Sequence, residues 1–293
     1  MQAANRDVGL FQALAKADST LNWYAVADSA QHDALPRAVA HGAPKLRCLL
    51  EVPEGSPVSQ KSPHLVQLIS PLEPSNTWSW IYLNARLKPC ISIIAARNSF
   101  EDVFTQLSSC TEVSLPDGDE MILAFWDPAI LGTLLGQSDD RTLHIKGPVL
   151  KQDQRTKLIG NLNAWWYWDR TGSIHSIVLE EVPCRLFDRS ITLSQQQVDD
   201  LVEASVPDHV LHYINSNQPH LLDGVASEKR YEFVSHALSR GRAIGITGMR
   251  DLVNYICVEL IYKEKMNDIA VTQIFDDVKA GRMEFDAALD QLP

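Results

Sequence analysis

The sequence predicts an α/β N-terminal lobe, of the α+β kind with a mixed and partly antiparallel sheet, followed by an all-α helical C-terminal lobe. Three observations predict it. Short β-prone runs alternate with helical patterns from residue 22 to about 150. The pairs Asp117-Gly118 and Thr171-Gly172 each lie between apolar runs, as hairpin turns do, and a hairpin makes part of the sheet antiparallel. Beyond Ser194 the β signal fades and helical patterns follow one another. The expected division is 1–185 for the first lobe and 186–293 for the second.

Along the chain, Val8, Leu10, Phe11 and Leu14 give residues 1–20 a modest amphipathic pattern. Trp23 to Ala27 reads as a strand, His32 to Ala40 as a helix and Leu46 to Leu50 as a second strand. Pro53, Gly55, Pro57 and Pro63 make Val52 to Pro63 a loop. His64 to Ile69 resumes as a strand, Asn76 to Leu83 reads as helical, and Ile91 to Ala95 as a buried strand. A helix over Phe100 to Leu107 starts at Ser99, with Asp102 three positions on to close a capping box.

The most ordered stretch is Glu112 to Leu135, which reads strand, turn, strand, helix. Gly118 supplies the positive φ of the turn, and Met121 to Trp126 the second strand. Asp127 stands at a helix N-cap with Pro128 at the first helical position, where a missing N–H costs nothing. Lys151 to Lys157 is polar and reads as a connector, followed by a hairpin of Trp165 to Asp169 with Ile174 to Leu179. The second lobe is expected to hold helices over Ser194 to Ala204, Pro207 to Ile214, Ala226 to Arg240 ending at Gly241, Met249 to Lys263, Ile269 to Ala280 ending at Gly281, and Glu284 to Leu292.

Composition narrows the function. The chain has 293 residues, 45% hydrophobic and 22% charged, which suits a globular protein of two lobes. A net charge of −11 opposes unspecific binding to nucleic acid, whose affinity comes from neutralising phosphates. The longest apolar run, around Cys90 to Ala96, is far shorter than the ~18 residues a membrane span needs. The first residues lack a charged-then-apolar leader, so a cytoplasmic location is expected, with no stable membrane insertion. Cys48, Cys90, Cys110, Cys184 and Cys257 are scattered without a C-x-x-C pair and are expected to be buried or free thiols in a reducing compartment.

No nucleophile elbow, zinc-protease, P-loop or dinucleotide fingerprint is present, so neither a catalytic residue nor a cofactor is expected. His209 and His212 share a helix face at i, i+3 but lack a third ligand, and no metal is expected there. Asp139-Asp140, Glu180-Glu181, Asp199-Asp200 and Asp276-Asp277 are sequence neighbours, which do not share a helix face, and read as solvated charge. The run Arg240 to Arg250 holds Gly241, Gly245 and Gly248 among three arginines. A glycine-rich loop before a helix can take phosphate, the basis of an alternative reading as an α/β enzyme or nucleotide-responsive regulator. The simpler reading is a C-cap at Gly241, a tight turn and a Thr247 cap, leaving Arg240, Arg242 and Arg250 as a basic patch suited to an acidic protein. Trp165-Trp166-Tyr167-Trp168 places aromatics on both faces of a strand, for burial or for a partner.

The run Pro116-Asp117-Gly118 followed by Ala124-Phe125-Trp126-Asp127-Pro128 resembles the signature of bacterial type VI secretion effector adaptors, also called effector chaperones. Trp23-Tyr24-Ala25-Val26-Ala27-Asp28-Ser29-Ala30, Ser62-Pro63-His64-Leu65-Val66-Gln67-Leu68 and Ile145-Lys146-Gly147-Pro148 fit the same family in the same order. The family's usual Arg two residues before the aromatic-Asp step is Ala124 here. The resemblance implies a small C-terminal helical lobe and a non-enzymatic adaptor that binds an effector and helps load it onto the valine-glycine repeat spike protein. On that reading Trp165, Trp166 and Trp168 supply apolar contact and Arg240, Arg242 and Arg250 orientation, with cargo in a groove between the lobes.

Overall fold

The computed structural model describes residues 2–53, 55–177, 179 and 190–293. The expected boundary near residue 185, the Glu180-Glu181 pair and Cys184 lie outside the described residues. The chain divides into two compact units, 1–204 and 205–293.

The first unit contains α1 (Gln2–Ala17), β1 (Asn22–Asp28), α2 (Arg37–Ala40), β2 (Leu46–Cys48), α3 (Pro57–Lys61), β3 (Pro63–Leu68), α4 (Asn76–Asn84), β4 (Ile91–Ala96), α5 (Phe100–Ser108), β5 (Glu112–Ser114), β6 (Glu120–Ile122), α6 (Pro128–Leu135), α7 (Gln152–Ile159), β7 (Ala164–Trp168), β8 (Ile174–Ile177) and β9 (Ile191–Thr192). A six-stranded sheet runs β2-β3-β1-β4-β7-β8 with every pairing antiparallel. A three-stranded sheet runs β6-β5-β9, in which β5 and β9 are parallel, so the lobe is mixed as expected.

The large sheet is buried on both faces, and strand alternation assigns its residues to two cores. Tyr24, Val26, Leu65, Ile94, Trp165 and Tyr167 join α5, α6 and the short hairpin on one side. Trp23, Ala25, Val66, Ile93, Trp166 and Trp168 join α1 and α4 on the other. Phe11 of α1 meets Trp166 edge-on at 5.1 Å, while Trp23 stacks on Trp166 with their planes 8° apart.

Several elements depart from the sequence reading. Only Arg37–Ala40 of the first expected helix forms, because Pro36 lacks an N–H and disfavours helical geometry at Leu35. The proline-rich loop contains α3: Ser56 accepts from the Ser59 N–H and Pro57 occupies the first turn, so the presumed breaker starts a helix. The expected connector is α7, closed at its start by the Lys151 N–H donating to Gln154 Oε1 at 2.8 Å. The strand after the Gly118 turn stops at Ile122. Phe125 and Trp126 follow outside any strand, and both are buried in the same core.

Helix α8 (Gln195–Asn217) opens with the Ser194–Gln197 capping box and joins two expected helices, with Pro207 inside it. The Ser205–Pro293 unit continues with α9 (Arg230–Ala243), α10 (Met249–Tyr262), α11 (Ile269–Lys279) and α12 (Phe285–Leu289), and is all-helical as expected. Val206, Val210, Ile214, Val234, Leu238, Leu252, Ile256 and Phe275 form its core. No helix among the described residues is long and apolar enough to cross a membrane.

Candidate partner-binding site

Strand pairing brings the first two signature stretches together. Ala27 faces His64 and Asp28 faces Pro63 across β1 and β3. The buried His64 ring places Nδ1 2.8 Å from the Ser62 carbonyl and 3.3 Å from Ser29 Oγ. A carbonyl only accepts, so Nδ1 carries the hydrogen and cannot take a proton from Ser29. Burial lowers the pKa of this imidazole, against the opposing pull of the Ser62 carbonyl. This serine and histidine are arranged as structure, not as a nucleophile and its base.

Asp28 is the group held at a cost. Its Oδ1 accepts from the Ala30 N–H at 3.1 Å. Burial and then the charge of Asp127 push its pKa up to about 6, against the opposing backbone hydrogen bonds and Lys88. The same burial, with the Asp28 charge, pushes the Cys90 thiol up to about 12. Because folded Asp28 keeps its proton to higher pH than the unfolded side chain, its contribution is most favourable below about pH 4 and declines as pH rises to about 6. Asp28→Asn keeps the acceptor for Ala30 and removes the charge. It is expected to raise stability by about 1–3 kcal/mol at pH 8 relative to pH 4. Urea denaturation of both proteins at the two pH values checks this, and equal differences at both would refute it.

The third and fourth stretches form one piece. Asp127 caps α6, its Oδ1 accepting from the Ala129 N–H at 2.9 Å, and Pro128 follows it at the first helical position. Asp117 and Gly118 form the preceding turn, with Gly118 at φ 95° and the Asp119 N–H donating to Asp117 Oδ1. Residues 145–150 lie along α6: Thr133 Oγ1 donates to the Ile145 carbonyl, and the Val149 and Leu150 N–H groups donate to Thr133 and Leu134. Ala124 stands partly buried against the core, at the position where the resemblance implies an Arg. Asp127→Ala is expected to cost ~1 kcal/mol through the lost cap, with any partner binding retained by the folded fraction. Unchanged stability with lost binding would instead make Asp127 a contact residue.

The aromatic ladder is enclosed within its own unit. Trp165 and Trp168 are fully buried and Trp166 is 4% exposed, which leaves a partner no ring surface in this conformation. The Trp165 Nε1–H donates to Ser92 Oγ at 2.9 Å, and that of Trp168 to Asp7 Oδ2 at 2.9 Å. At the next strand position Tyr167 donates to Asp140 Oδ2 at 2.9 Å. Asp140 is fully buried, unlike the solvated charge expected of it. His175 bridges Asp169 at 2.9 Å and Asp139 at 3.3 Å. Burial lowers its pKa, but the Asp169 bond and the surrounding carboxylates outweigh that, and the net direction is upward. Asp140, Asp169 and His175 each offer a ligand atom within 4.8 Å of the others, the spacing of a metal set. Asp169 and His175 already hold each other, Asp140 holds Tyr167, and the two carboxylates hold the turns at Thr142, Thr171 and Ser173. The hairpin read from the sequence joins Asp169 and His175, but no sequence signal adds Asp140, which reaches them through Tyr167 of β7.

In the Ser205–Pro293 unit the three arginines differ. Arg240 grips the buried Glu259 through both its Nε and a terminal nitrogen. Arg242 donates to the carbonyls of Ile246 and Thr247. Arg250 has no carboxylate partner among the described residues and lines a groove between α8 and α10. The expected C-cap at Gly241 is displaced: Gly241 is buried inside α9, close under Leu252 and Tyr255, and positive φ falls instead on Gly245. Gly248, not Thr247, occupies the cap of α10. Gly241 is thus part of a helix, and the loop lies between two helices rather than after a strand as nucleotide folds require. His209 lies on the groove, and the His212 beside it in sequence is exposed.

Residues 23–144 match the family model of a domain of unknown function, DUF4123. The match begins at β1, takes in the first three signature stretches and ends just before Ile145-Lys146-Gly147-Pro148. No curated protein and no solved structure matches the chain. Over that span, and so for less than half its length, the chain resembles DUF4123 proteins.

Proposed function

We propose that this protein is a non-enzymatic adaptor that binds a type VI secretion effector in the cytoplasm and helps load it onto the valine-glycine repeat spike protein. The observation that carries this reading is the DUF4123 match over residues 23–144, a family generally associated with type VI effector adaptors. The placement of the signature residues supports it: they are used in capping α6, pairing β1 with β3 and seating residues 145–150, so they build a scaffold and leave recognition to other surfaces.

The test is co-expression with each candidate effector taken from the neighbouring genes, followed by affinity capture of the full chain. Effector retained in a stable soluble complex is the expected result. An effector that stays soluble and unbound, together with a chain stabilised by a nucleotide or metal in a thermal-shift panel, would overturn the reading.

A further inference from the structure

The groove in the Ser205–Pro293 unit has the makings of a recognition surface. His209, Val210 and Tyr213 from α8 face Met249, Arg250, Val253 and Asn254 from α10 across a cavity of about 410 Å³. The sets are spaced i, i+1, i+4 on α8 and i, i+1, i+4, i+5 on α10, so each is one continuous helix face. The buried Val210 and half-buried Val253 form an apolar floor, while Tyr213 and Met249 are 54% and 44% exposed. Exposed apolar area of this kind has a cost in water unless something covers it.

The polar groups around it are uncommitted. Among the described residues, the side chains of Arg250, His209, Asn254 and Tyr213 make no hydrogen bond or ion pair, whereas Arg240 and Arg242 of the same basic stretch are both engaged. No carboxylate lines the groove, although the chain as a whole carries a net charge of −11. An apolar trough with one unpaired guanidinium complements an apolar segment that carries its own carboxylate.

We infer that the groove between α8 and α10 receives an amphipathic helix of the cargo, with apolar residues at i and i+3 or i+4 and an Asp or Glu set against Arg250; this rests on the adaptor reading. Residues 249 to 254 span about 8 Å along α10 at 1.5 Å per residue, enough for the apolar face of one to two turns. Burial of Tyr213 and Met249 gives the affinity. The Arg250 pair fixes register and direction.

The experiment uses the full chain co-expressed with the neighbouring effector. A photoreactive benzoylphenylalanine at position 213 is expected to cross-link to an effector segment that is apolar, helical and acidic. Arg250→Glu is expected to lower the retained effector at least tenfold at low salt with unchanged circular dichroism and melting temperature, and Arg250→Lys to restore most of it. The loss is expected to shrink at high salt, where exposed charges are screened. Full retention by Arg250→Glu combined with Met249→Asp, while the parent chain still retains effector, would overturn the groove and leave the adaptor reading standing. A cross-link to a second copy of the chain would also overturn it, in favour of self-association. A parent chain that retains no effector would overturn both.

Discussion

Gly147→Ala is expected to destabilise the first unit strongly, with reduced soluble yield and a melting temperature far below the parent's. Gly147 sits at φ 65°, where an L side chain is strained, and a Cβ there would lie 1.9 Å from the Thr133 carbonyl oxygen. That oxygen accepts from the Val149 N–H, so moving away from the methyl breaks the bond that seats residues 145–150 on α6. Left-handed strain and overpacking together amount to about 3–5 kcal/mol, a large part of the stability of an ordinary domain. Equilibrium unfolding followed by tryptophan emission measures it. A loss below about 1 kcal/mol would show that the segment yields easily.

Asp7→Ala is expected to cost about 3–5 kcal/mol, through a different mechanism. The buried Asp7 Oδ2 accepts from Arg86 Nε at 2.7 Å and from the Trp168 indole at 2.9 Å, tying α1 and the chain after α4 to the sheet. Alanine deprives a fully buried indole N–H of its acceptor and takes from Arg86 the carboxylate that offsets its charge. Asp7→Asn keeps an acceptor without the charge and is expected to lie between the two. If alanine and asparagine destabilise equally, the charge is what matters; if asparagine matches the parent, the hydrogen bond to Trp168 is.

The sequence was most readable where one short segment sets its own geometry. Ser99 with Asp102, Asp127 with Pro128, Ser194 with Gln197 and the Gly118 turn are each complete within a few residues, and each forms as read. Proline was read too simply: it starts α3 at Pro57, shortens α2 at Pro36 and is carried inside α8 at Pro207, because its effect depends on position within the turn. Glycine misled once, where Gly241 serves close packing under Leu252 and Tyr255 instead of ending α9. The sites were harder to read. Asp28 meets the charge of Asp127, and Tyr167 meets Asp140, only through the order of strands, which no local pattern encodes. The arginines looked alike in sequence, and only the structure distinguishes Arg240 and Arg242, already engaged, from Arg250.

All seven tryptophans, Trp23, Trp78, Trp80, Trp126, Trp165, Trp166 and Trp168, belong to the first unit, while residues 205–293 have tyrosine and phenylalanine alone as aromatics. The protein therefore carries a built-in optical label on one half. Excitation at the red edge of the aromatic band follows the sheet and its two cores alone, while ellipticity follows the helices of both units. A chain whose two signals change at different denaturant concentrations unfolds in two steps, and a ligand bound between α8 and α10 shifts the second step alone.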